Sequence, residues 1–77
     1  MRGRDIIKAI MEAKNISNAD AAKRLGLKAA TMWARVNEKK QNDIPVSRLA
    51  ETVRVMDYKV VVIPANCRIP EGGYEVD

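Results

Sequence analysis

Residues 17–37 read SNADAAKRLGLKAATMWARVN. Small or apolar residues recur at Ala19, Ala22 and Leu25, then at Met32 and Val36, each set at helical spacing. The break between the sets, Gly26-Leu27-Lys28, is too short to be a loop. Ser17 can cap the first helix through its hydroxyl, with the acidic Asp20 three residues on. Gly26 supplies the left-handed backbone position that ends that helix. Ala22 lacks the bulk that would hold two crossing helices apart. The stretch therefore predicts two short helices joined by a glycine turn, a helix-turn-helix whose second helix characteristically enters the major groove of DNA.

That second helix, over residues 28–39, turns Met32 and Val36 inward and Ala30, Ala34 and Asn37 outward, with Thr31 and Trp33 on the flanks. A surface built on Ala30 and Ala34 is flat enough for the helix backbone to approach base edges. Its available chemistry is apolar contact with thymine methyls and hydrogen bonds from Thr31, Asn37 and Lys28, with Asn37 the candidate for bidentate pairing to adenine. Trp33 has two readings: its indole packs on DNA, or it tucks against the second or fourth helix. Arg35 sits off the core seam and pairs with either an acid or a phosphate.

Charge supports a polyanionic partner. The net charge is +4, but residues 23–40 hold six cations against the single Glu38, while the rest of the chain carries eight basic and nine acidic residues. The positive excess lies on the helix-turn-helix and its exit, as phosphate contacts require. A solvated helix face is the bland alternative.

The pattern Ala22, Leu25, Gly26, Leu27, Thr31, Met32 and Val36 resembles the helix-turn-helix of the Cro/repressor-type (lambda-repressor-like, Xre-like) transcriptional regulators. The likeness extends to Arg4–Asn15 as a first helix and Val46–Met56 as a fourth. It extends further to a subgroup in which the fourth helix runs directly into an apolar strand, here Tyr58–Pro64. Two positions depart from the family pattern: Lys28 stands where Ser or Thr usually caps the recognition helix, and Ala29 where Gln is frequent. The resemblance implies base-facing roles for Asn18, Lys28, Ala29, Ala30, Thr31, Trp33, Ala34 and Asn37. It implies phosphate contacts from Arg35, Lys39, Lys40 and Asn42. A phage-like repressor is the activity it implies.

Outside the motif, Ile6, Ile7, Ile10 and Met11 line one side of the first helix, with Lys8, Glu12 and Lys14 outward. Arg2 and Arg4 form a short basic arm, either frayed or touching phosphate. Ile44-Pro45 opens the fourth helix, whose apolar stripe is Val46, Leu49, Ala50, Val53 and Met56. In Tyr58–Ile63 both faces are largely apolar, so a strand there wants cover on both sides. With Tyr74-Glu75-Val76 it is expected to close a β-hairpin. The expected fold is thus α+β and mainly α: a four-helix lambda-repressor-like domain over residues 1–57, then a β segment over 58–77. In that segment Tyr58, Val60, Val61, Val62 and Ile63 are expected to join two copies into a homodimer, since a chain of 77 residues is marginal by itself.

Other functions find little to stand on. The chain has no His and one Cys, so zinc sites and Cys–His catalysis lack their ligands and base. Its acids are spread over helix surfaces; an enzyme is not expected. No metal, cofactor or small-molecule ligand is expected either. Gly72-Gly73 lacks the Gly-Lys-Ser/Thr pattern of a phosphate cradle and reads as a turn. There is no apolar run near the roughly 20 residues that span a bilayer and no signal-peptide core, and a single cysteine fits a reducing cytoplasm. The expected partners are double-stranded DNA and a second copy, at the nucleoid. The competing reading is an antitoxin-like or adaptor module that keeps the fold without reading bases, which Ala29, Ala30 and Ala34 keep open.

Overall fold

The break at Gly26 is real, and it is one of three helix ends built alike. The structure, a computed structural model, describes residues 1–37 and 44–76. Four helices follow in order: α1 Gly3–Ala13, α2 Asn18–Leu25, α3 Ala29–Asn37 and α4 Val46–Arg54. At the end of α2, Gly26 takes φ 70°, its N–H donates to the Lys23 carbonyl, and the Leu27 N–H donates to the Ala22 carbonyl at 2.8 Å. The same pair of bonds closes α1, where Asn15 (φ 54°) and Ile16 donate to Glu12 and Met11. It closes α4 as well, where Asp57 (φ 64°) and Tyr58 donate to Arg54 and Val53. Left-handed backbone favours Gly, and after it Asn and Asp, so the sequence places a permitted residue at each end. At the opposite end of α2 the Ser17 hydroxyl accepts the Asp20 N–H at 3.1 Å, the cap expected of it.

Packing follows from which side chains these helices bring together. Helix α1 packs on both α3 and α4, and α2 packs on α3. The shared core is aliphatic: Ile6, Ile7 and Ile10 of α1, Ala21 and Ala22 of α2, Met32 and Val36 of α3, and Leu49 and Val53 of α4, closed by Ile16, Ile44 and Met56. Two small departures from the expected pattern appear. In α2 the buried pair is Ala21 and Ala22, while Ala19 is exposed. In α4, Val46 is 69% exposed, because the first turn of that helix projects beyond the core.

Among the described residues, one polar side chain, that of Thr52, lies fully inside. The Thr52 hydroxyl donates to the Arg48 carbonyl at 2.7 Å and accepts from Arg35 Nη1 at 3.2 Å, tying α3 to α4. Thr52→Val keeps the shape and removes both bonds. It should lower stability by about 1 kcal/mol, equivalent to roughly 4–8 °C in melting temperature. An unchanged thermal unfolding curve would mean the Arg35 link contributes nothing.

The expected β-hairpin is not formed. Among the described residues there is no strand, and the fold is all-helical rather than α+β. Among the described residues, the backbone–backbone hydrogen bonds of the C-terminal segment are the capping bond at Tyr58 and two turn closures, Cys67 N–H to Pro64 and Gly73 N–H to Pro70, and the Met1 ammonium donates to the Glu75 carbonyl at 3.0 Å. The reason is physical. A run of β-branched residues favours an extended backbone, but a ladder needs a partner strand, and residues 59–63 find none among the described residues. Pro64 and Pro70 further remove donors from the stretch that would have to return. The segment instead folds back over α1 and α4. Tyr58 donates its hydroxyl hydrogen bond to the Gly72 carbonyl at 3.2 Å, its ring lies 6.2 Å from that of Tyr74, and Lys14 stands over it at 5.3 Å. Between segment and helices lies a half-open apolar cavity of about 600 Å³, floored by Ile6, Ile10, Leu49 and Val53.

Candidate nucleic-acid interface

Helix α3 presents its outer face to solvent. Ala29, Ala30 and Thr31 are exposed, Ala34 is half-buried, and Trp33 is 59% exposed. Of the two readings open for Trp33, the packed one is therefore not what the chain adopts. Met32 and Val36 hold the opposite side of the helix in the core. Because Lys28 precedes α3 and its side chain accepts no hydrogen bond, the first-turn N–H groups have no side-chain cap from it. Lys23, in the last turn of α2, and Lys28, directly before α3, are both exposed.

The other polar side chains near this face are occupied. Asn18, at the start of α2, donates from Nδ2 to the Ala29 carbonyl at 2.9 Å, so it bridges the amino ends of the two motif helices. Its Oδ1 is buried without a hydrogen-bond partner. Asn37 donates from Nδ2 to the Trp33 carbonyl at 3.1 Å, one turn back along its own helix. Arg35 is held by Thr52, and Arg24 bonds the Val55 carbonyl at 3.2 Å while pairing with Asp20 at 3.4 Å. The expected phosphate contacts Lys39, Lys40 and Asn42 lie outside the described residues.

Sequence reading placed Ala30, Ala34 and Asn37 outward on α3, with Thr31 and Trp33 on its flanks; in the structure Ala30, Thr31 and Trp33 are exposed, while Ala34 and Asn37 are half-buried. It did not single out Lys23 among the contact residues, although its place in the last turn of α2 was a signal. Nor did it find Thr52, a polar residue interrupting the apolar stripe of α4 three positions after Leu49.

A glycine-broken helix pair packed on a third helix, with the second member's outer face free and cations at the turn, is a helix-turn-helix domain. Residues 2–38, slightly under half of the chain, match the family model described as winged helix-turn-helix DNA-binding. That match takes in α1, α2 and α3, and supports a DNA-binding regulator with double-stranded DNA as its partner. It points to a binding protein rather than an enzyme. No curated protein and no solved structure matches the chain. No described helix is long and apolar enough to cross a membrane.

Proposed function

We propose that the protein is a sequence-specific transcriptional repressor of the phage-like Cro/repressor type, acting on the nucleoid in the cytoplasm. Helix α3 enters the major groove, with Ala29, Ala30, Thr31, Trp33 and Ala34 toward the base edges and Lys28 toward the phosphates. The observation that carries this reading is the exposed outer face of α3, inside the stretch that matches a DNA-binding family. Two copies related by twofold symmetry would set their recognition helices about 34 Å apart on a palindromic site. Support for the pairing comes from the C-terminal segment: Val61, Val62 and Ile63 are exposed, Val62 almost wholly, and the backbone of residues 59–63 carries no hydrogen bond to the other described residues.

Trp33 is the sole tryptophan, so its emission reports on the proposed interface directly. Titration with a random-sequence duplex of about two helical turns at roughly 50 mM salt should quench or shift that emission, with affinity falling steeply as salt rises. Duplexes recovered by selection from a random pool should bind more tightly than the pool. Equal affinity for selected and random duplexes would favour the adaptor reading, and light scattering of the free protein tests the homodimer.

A further inference from the structure

We infer that this interface reads its site through thymine methyl groups, with Trp33 as the specificity-determining residue, rather than through amide hydrogen bonds to adenine. The inference rests on the DNA-binding reading and names the feature of DNA that it selects. Bidentate recognition of adenine needs an amide with its oxygen and nitrogen both presented to the base edge. Neither amide near α3 is placed that way. The Asn18 nitrogen is bonded to the Ala29 carbonyl and its oxygen is buried. The Asn37 nitrogen is bonded to the Trp33 carbonyl, which folds that amide along the helix.

What α3 leaves uncovered is apolar. Ala29, Ala30 and Trp33, the last 59% exposed, lie within about 100° of one another around the helix, and Thr31 on the other flank adds a methyl of its own. A large exposed indole on a domain with so small a core is costly to leave in water. In a major groove the matching apolar feature is the C5-methyl of thymine, the one base-edge group that makes no hydrogen bond. The small alanines let the helix backbone approach, and Lys23 and Lys28 supply the charge that meets the phosphates on either side. The group α3 then presents for hydrogen bonding to bases is the Thr31 hydroxyl, too little to specify a site alone.

The decisive comparison removes only the methyl. A duplex of alternating adenine and thymine, about two helical turns long, is compared with the same duplex carrying uracil for thymine. Each methyl taken out of water contributes roughly fourfold in binding, so contact with two or more predicts a loss of about tenfold or greater for the uracil duplex. In Trp33→Ala, whose fold is safeguarded by the exposure of the ring and checked by circular dichroism, that difference should shrink to about twofold or less. The salt dependence should stay as in the wild type. Equal, salt-dependent affinity for the two duplexes would overturn methyl readout while leaving the DNA-binding reading intact. So would a uracil penalty that Trp33→Ala leaves undiminished. Absence of salt-dependent binding to either duplex would overturn both readings.

Discussion

Ile7→Ala should lower stability by about 3 kcal/mol, the middle of the range for truncating a buried branched side chain to alanine. For a domain of this size that corresponds to a fall in melting temperature of roughly 12–24 °C. Ile7 is wholly buried, on the helix that touches both α3 and α4. Its removal leaves a void in the shared core, which neighbouring side chains fill only by losing contacts of their own. A chain of this length has a total stability of only about 4–12 kcal/mol, so the loss takes a large share of what holds the fold. Val62→Ala is the matched comparison: Val62 is 98% exposed, and an exposed truncation of this kind stays within about 0.5 kcal/mol. Thermal unfolding followed by circular dichroism separates the two. Equal melting temperatures would mean that the core is not centred on α1.

The second large effect concerns charge. Replacing Lys23 and Lys28 together with glutamate should weaken binding to random-sequence duplex roughly hundredfold at about 100 mM salt. The slope of log affinity against log salt should fall by about two, as expected when two phosphate contacts are lost. The same substitution should leave stability nearly unchanged. Lys28→Glu is favourable at the positive end of α3 by roughly 0.3–1 kcal/mol, and Lys23→Glu costs a similar amount at the negative end of α2, in whose last turn it lies. Binding is thus expected to fall while stability holds, which a merely damaged protein cannot reproduce. If affinity for duplex survives the double substitution, the cations at the turn are not phosphate contacts.

The motif was legible in the sequence because its signals are local. Ser17 caps a helix whose first-turn N–H lies three residues away, and Gly26 ends it through bonds to Lys23 and Ala22. The aliphatic core followed from helical spacing for the same reason. What could not be read depends on groups distant in the chain. Asn18 and Asn37 announce amides, but nothing in their spacing says that a carbonyl of α3 occupies each nitrogen. Thr52 and Arg35, seventeen residues apart, meet only because α3 and α4 sit side by side. The run over residues 58–63, apolar on both faces, suggested a strand but contained no information about a neighbouring one, and among the described residues none pairs with it.

Asn15, Gly26 and Asp57 stop three helices with the same pair of bonds, each drawn from within six consecutive residues. Where a helix halts is thus settled by its immediate neighbours. Whether it persists is another matter, for helices of eight to eleven residues are too short to last in water unaided. Punctuation is autonomous here while endurance is collective, and a chain organised in that way has few distant encounters to arrange before it folds, the topology associated with rapid folding.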